Sequence, residues 1–515
     1  MQEKGLKKSM GVFTLTALGI GAIIGSGIFI MPAAMAAVAG PGLILGIMIA
    51  GLISLILGLS YAELGSAFPV AGGPYALPRM AMGNLGGFIL GWGYFLYLFI
   101  GTAAIIDIFV VYLNFYVPGL AVGSTLTPLG ISVAVIALWI FTLINIIGVK
   151  WGALYSVVTT IGKLIPLAIF FIAGLFYMKT GNFTPFLPFG LSGVTIAVTL
   201  FFWSFTGFES IVIPTEEVKK PGRTIPLAMI MTLVTTTVIY ILIAYVFIGM
   251  IDWSSLGFGF KSWSSVDSLS SPLADIAQSR GIIWLAVIAI IGAIISTAGA
   301  GGSWVLIQGR FPYAMAKDGL FWSYMKTIHP KYRTPVPSLI FTSILTTIVM
   351  IAIPNFPSVA LVASVTGAVV YAAAAVSVPI LRKTYPDTKR PFKLPMMHVV
   401  TLLGFILSTY VFYWGTWPWT FVCALLILLG YPLFLLVKTK AVNPRRSLWV
   451  PVYALSISAV SLLGDKHFEM NNFTAISPLN IIKMPYDIVL LTVIAIVIYF
   501  WAYNENKKYI HKEKK

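Results

Sequence analysis

The chain has 515 residues, of which 59% are hydrophobic and only 10% charged, with a mean hydropathy of +0.95. A soluble domain carries about 25% charged residues, so composition excludes a string of soluble domains and points to an all-α polytopic membrane protein. The formal charge of +17 would suit nucleic acid, but the placement of the charges, set out below, excludes that partner.

Apolar runs long enough to cross a bilayer, about 17–25 residues, fall at 11–37, 42–65, 86–113, 129–148, 153–177, 193–214, 226–251, 281–307, 336–353, 357–381, 397–414, 417–437, 449–464 and 486–503. The first run is too long for a cleavable signal peptide and leads straight into the second. Loop 66–83 is dense in Pro and Gly and predicts that the helices on both sides stop there. Loops 215–226 and 308–337 lie on the same side, and 252–280 is the longest loop on the other. With fourteen spans and the N-terminus inside, 27 of the 33 Lys and Arg fall on the inner side and five on the outer. Lys163 alone sits within a span. This is the positive-inside pattern of a cell-membrane protein with both termini cytoplasmic, and the excess charge meets an anionic inner leaflet. The lipid bilayer is thus the expected partner, and nothing in the pattern specifies an oligomeric state.

The spans group as five, five and four. An odd number per half makes the second half enter from the opposite face, an inverted-topology pair. The expected division is a transport core over 1–382, peripheral spans over 383–440, and two additional spans with a basic tail over 441–515.

The first and sixth spans are interrupted at matching places. The first reads Gly19-Ile20-Gly21-Ala22-Ile23-Ile24-Gly25-Ser26-Gly27-Ile28-Phe29, the sixth Trp203-Ser204-Phe205-Thr206-Gly207-Phe208-Glu209-Ser210. Freed backbone groups cost several kcal/mol in hydrocarbon and survive only in protein or along a cavity. Paired breaks point to a transporter's substrate site. Unwinding at Gly25 and Gly27 exposes carbonyls on one half-helix and N–H groups on the other, complementary poles for a zwitterion. Gly21 and Gly25 also read as a small-xxx-small packing pair. Trp203 offers an aromatic wall to an ammonium or simply packs.

Lys163 lies roughly 15 Å into its span at about 1.5 Å per residue. A mid-membrane ionisable group reads as functional: it gains and loses a proton during a cycle, stands where a metal ion would, or is a permanently paired structural lysine. Glu209 pairs with a cation, carries a proton, or caps. Asp107, in the outer third of its span, and Glu63, near the inner end of its own, read as interfacial or hydrogen-bonded carboxylates. Trp304 follows Gly299-Ala300-Gly301-Gly302-Ser303 and reads as a gate or as core packing. No His-Glu-x-x-His zinc motif or Walker loop is present, so no cofactor, metal or enzyme activity is expected. Transport would run on gradients or exchange.

At these residues the chain resembles the amino acid–polyamine–organocation transporter superfamily. The likeness runs over residues 8–395: Gly-Ser-Gly-Ile-Phe at 25–29, Tyr-Ala-Glu-Leu at 61–64, Pro-Val-Ala-Gly-Gly-Pro-Tyr at 69–75, Trp-Ser-Phe-Thr-Gly-Phe-Glu at 203–209, Glu-Glu-Val-Lys-Lys-Pro at 216–221, Ala-Met-Ala-Lys-Asp-Gly at 314–319 and Arg-Pro-Phe at 390–392. The resemblance implies the five-plus-five inverted-repeat fold with discontinuous first and sixth helices, an amino acid or amine substrate, and alternating access. It implies a substrate site at Ile23, Gly25, Ser26, Gly27, Ile28, Trp203, Phe205, Thr206 and Gly207. The amino group meets carbonyls around Ile23 and Trp203 to Thr206, and the carboxylate meets Ser26 and Gly27. Lys163 matches a lysine that replaces a sodium ion in proton-coupled relatives. Trp203, Glu209 and Trp304 look like the aromatic wall, proton-sensing carboxylate and gate of arginine–agmatine exchangers. Those exchangers have twelve spans, and this chain adds two.

The function expected is secondary active amino acid transport coupled to protons. Amino acid or amine exchange is the alternative. A non-transporting sensor of the same fold is disfavoured by the twelve-residue inner tail, and a membrane-embedded enzyme by the lack of a catalytic set.

Overall fold

Each predicted apolar run is helical in the structure, a computed structural model that describes residues 10–70, 72–147, 149–215, 218–437, 443–464 and 477–508. Hydrocarbon offers backbone groups no hydrogen-bond partner, so a long apolar segment satisfies itself as helix. The first run forms α1 (Val12–Ile23) and α2 (Gly27–Ala39), followed by α3 (Leu43–Ala67), α4 (Gly73–Leu113), α5 (Pro128–Ile147) and α6 (Val149–Leu175). The second half comprises α7 (Gly190–Phe202) with two 3-10 turns beyond it, α8 (Pro221–Met250), the short α9 (Pro272–Ser279), α10 (Ile283–Lys317), α11 (Val336–Ala352) and α12 (Phe356–Thr384). Last come α13 (Met397–Tyr413), α14 (Trp419–Leu428) with its continuation α15 (Gly430–Phe434), α16 (Trp449–Leu463) and α17 (Tyr486–Lys507). A small antiparallel hairpin, β1 (Ala121–Val122) with β2 (Thr125–Leu126), caps the connection between α4 and α5. Ile136, Ile140 and Leu143 on α5 remain exposed, an apolar stripe suited to lipid.

The loop expected over 66–83 is mostly helix. Gly72, at φ +74°, turns the chain into α4. Pro74 then sits in the first turn, where its missing N–H costs nothing. Gly83, at φ +80°, kinks α4 instead of ending it. Likewise α10 runs on to Lys317, so residues 308–317 belong to a helix. Ala71, Glu216 and Glu217, part of the motifs at 69–75 and 216–221, lie outside the described residues.

Packing follows the inverted repeat. Span three (α4) lies along span ten (α12), and its mate, span eight (α10), lies along span five (α6). In the same way α1 packs on α8 while α7 packs on α3. The C-terminal helices wrap this body: α13 packs on α12 and α3, α14 on α4, and α17 on α12 and α13. Buried Arg446 ties them to it, donating to the Ala81 carbonyl (2.9 Å) and the Asn506 Oδ1 (3.1 Å). Its guanidinium lies beside the kink at Gly83.

Candidate substrate site

The first interruption is built as the glycines predict. α1 stops at Ile23, Ile24 is extended, and α2 begins at Gly27. The carbonyls at the end of α1 are already engaged. Ile23 O accepts from the Tyr240 hydroxyl (3.3 Å), and Gly25 O from the Ser296 hydroxyl (2.9 Å). Ala22 O faces the Trp304 indole nitrogen at 3.4 Å. On the other side, the first N–H groups of a helix have no internal acceptor, and the buried Ser26 hydroxyl beside them has no partner among the described residues. Ile28 is fully buried in the first turn of α2.

The second interruption differs from a pair of α-helical halves. After α7 the chain makes one 3-10 turn, Trp203–Phe205, extends at Thr206, turns at Gly207 (φ +104°), and makes a second 3-10 turn, Phe208–Val212. The tighter form follows from local capping. The Thr206 hydroxyl donates to Trp203 O (2.7 Å), and the Gly207 N–H donates to the Glu209 carboxylate (3.2 Å). Phe205 turns its ring towards Phe201 and Tyr240.

The two breaks touch. A Cβ on Gly27 would fall 2.0 Å from Ser204 Oγ and 3.0 Å from Ser204 Cα, and one on Gly207 would fall 3.0 Å from Ala22 O. Tyr240 bridges them, its hydroxyl also lying 2.9 Å from Ser204 O. Ser204 Oγ, like Ser26 Oγ, is buried without a partner among the described residues. Trp304 stands over this junction, 6.2 Å from the Trp203 ring and 5.1 Å from the Tyr97 ring. A cavity of about 750 Å³ lies above it, between α2, α7, α12 and the loop 267–270, and reaches down to Phe202 and Trp203.

The opposite side carries a set of ion pairs. Call the end holding Arg79, Lys219, Arg310 and Arg382 the basic end. There Glu63 accepts two hydrogen bonds from Arg382 (both 2.7 Å) and one from the Leu394 N–H (2.7 Å), with Arg390 at 3.7 Å. Arg79 pairs with Asp318 at 2.6 Å. Glu63 is therefore the hydrogen-bonded carboxylate expected, and the motifs at 61–64 and 390–392 meet through it.

Lys163 is fully buried. Its ammonium donates to Gly21 O (3.0 Å) and to Ile24 O, so it is pinned to the unwound end of α1. Glu209 meets no cation among the described residues. Its partners are the Tyr94 hydroxyl (3.3 Å), the Tyr371 hydroxyl (3.2 Å) and Gly207 N. Asp107 corrects the expectation: it is neither interfacial nor hydrogen-bonded. It is fully buried, and neither oxygen has a partner among the described residues. Tyr94, Tyr240, Ser296 and Tyr371 were invisible as site residues, because a single hydroxyl in an apolar run carries no pattern.

The sequence profile of the family described as amino acid permease matches residues 10–449. The chain belongs to that family. It is 31% identical to the glutamate/serine transporter AimA of Bacillus subtilis, over 96% of this chain and 94% of that protein. It is 30% identical to the branched-chain amino acid permease BcaP of the same organism, over 85% and 94%. It is 29% identical to that organism's aspartate-proton symporter, over 98% and 97%. These relatives are transporters, in keeping with a non-enzymatic, multi-pass membrane protein.

Proposed function

We propose that this chain is a proton-coupled amino acid transporter of the cell membrane, with its basic end and both termini cytoplasmic. The contact between Gly27 and Ser204 carries this reading, because it brings two broken helices together beside two unpartnered hydroxyls. The N–H groups at the start of α2, with Ser26 and Gly27, hold the substrate carboxylate. The carbonyl side of the junction, from Ile23 and from Trp203 to Thr206, receives the ammonium once Tyr240 yields. Gly25, Ile28, Phe205 and Gly207 set the backbone shape, and Trp203 and Trp304 close over the solute. Lys163 holds α1 in place as a cation and releases it on losing its proton. Glu209, with Tyr94 and Tyr371, closes the path towards the cytoplasm. The cavity beyond Trp203 and the Glu63–Arg382 clasp support a resting form open outward and shut inward. The core is residues 1–382, flanked by 383–440 and 441–515.

The test is uptake by purified protein in liposomes across the amino acids, with and without an imposed pH gradient. Accumulation that requires the gradient supports symport. Equal exchange of internal for external amino acid, indifferent to the gradient, replaces symport with exchange. No flux of any amino acid refutes the function.

A further inference from the structure

Asp107 sits on α4, the helix that runs between the cavity and the gate. Val111, one turn further along the same helix, lines the cavity. Asp107 lies roughly 6 Å below it along the axis. Gly101, whose Cβ would press on the Trp304 ring, lies roughly 9 Å further down. The carboxyl is therefore at a depth between the outer opening and the gate, fully enclosed.

An isolated carboxylate in such a place is costly unless it is paired or neutralised. The elements packed on α4 offer no compensation. α5 and α11 carry no ionisable side chain. α12 carries Tyr371, Arg382 and Lys383, α10 carries Arg310, Tyr313 and Lys317, and α14 carries Cys423. α3 brings Tyr61 and Glu63, α15 brings Tyr431, and the 3-10 turns on α4 bring Glu209, Arg445 and Arg446. α4 itself has Arg79, Tyr75, Tyr94, Tyr97 and Tyr112. None of these is hydrogen-bonded or ion-paired to Asp107. Tyr371 is spent on Glu209, and Arg382 on Glu63. A buried acid without a partner among the described residues in one conformation is explained by a partner that arrives and leaves.

We propose that Asp107 is a proton-binding site of the transport cycle, separate from Lys163 and loaded from the outer cavity. The proposal rests on the proton-coupled reading above. The carboxyl takes a proton when the cavity is open, is carried neutral while the outer half closes, and gives the proton up when the path opens inward. Lys163, on α6 against α1, senses the substrate end. Asp107, on α4, senses the outer side.

The experiment uses the full chain in liposomes and compares wild type with Asp107→Asn and Asp107→Glu. The substrate is whichever amino acid the wild type accumulates. A gradient of one pH unit supports about tenfold accumulation per coupled proton. Asp107→Asn is expected to keep counterflow exchange and to lose at least tenfold in gradient-driven accumulation, while Asp107→Glu retains accumulation. Infrared spectra of the wild type should show a buried neutral carboxylic acid band that is absent from Asp107→Asn. If Asp107→Asn accumulates as well as wild type, or the band persists in it, the proposal is overturned. If a sodium gradient at constant pH drives the wild type but not Asp107→Asn, the site binds a metal cation and the proposal is overturned. Should the wild type ignore the pH gradient altogether, the coupling reading itself fails, which is distinct because it appears without any variant. Should Asp107→Asn fail to fold, Asp107→Glu still decides: its flux must be retained and the buried acid band must shift in frequency, and an unshifted band overturns the proposal.

Discussion

Gly27→Ala tests the junction of the two breaks most directly. The added Cβ would lie 2.0 Å from Ser204 Oγ, 2.4 Å from its Cβ and 3.0 Å from its Cα. The hydroxyl can rotate away, but Cα is backbone and cannot. Carbon atoms in contact sit about 3.5–4.0 Å apart, so the two segments must part by roughly 1 Å. Overpacking of this kind costs about 1–3 kcal/mol. If the solute is gripped across the junction, that cost appears as a roughly 5- to 150-fold loss of affinity, at 1.4 kcal/mol per tenfold. Gly27→Val, branched at Cβ, should abolish binding. Ser204→Gly removes the two closest atoms, so Gly27→Ala with Ser204→Gly should recover most of the loss. Calorimetric titration of purified protein measures the affinities, and thermal melting separates binding from folding. Wild-type affinity in Gly27→Ala, or a double variant no better than the single one, refutes the reasoning.

Lys163→Ala should leave the protein folded and remove the dependence of uptake on the pH gradient, and an unchanged gradient response contradicts its coupling role. Glu63→Gln breaks a buried, multiply bonded carboxylate, a loss of about 3–5 kcal/mol to the conformation closed at the basic end. Hydrogen exchange should rise around residues 61–68 and 390–396, and equal protection in both proteins rules the clasp out. Asp252, hydrogen-bonded by Ser254 and Lys179 and paired with Arg280, has its carboxyl pKa pulled down to about 2. A carboxylate held below its unfolded value adds stability above about pH 4 and loses it between about pH 4 and 2. The melting temperature should therefore fall across that window, and Asp252→Asn should flatten part of the fall; an identical profile in the variant removes this cause.

The length of the apolar runs made the helices legible because bilayer thickness fixes it, whatever the packing. The first break was legible for a similar reason: three small residues in an apolar run have one cheap use, which is to let the backbone open. What stayed hidden depends on distance across the fold. Pro and Gly at 69–83 read as a stop, yet Pro74 falls on a first turn and Gly83 on a kink capped by Arg446, more than 360 residues later.

The same distinction separates three buried carboxylates of the first twelve helices. Glu63, Asp107 and Glu209 look alike in sequence, each an acid in or beside an apolar run. Glu63 meets guanidinium groups, which suits a clasp. Glu209 meets hydroxyls and an amide, which serve either protonation state and suit a latch within the path. Asp107 meets nothing among the described residues, which is the isolation its proposed proton-binding role rests on. Charge pairing, neutral hydrogen bonding and isolation are three environments with three different consequences for a transport cycle. Only the folded arrangement assigns each acid to one of them.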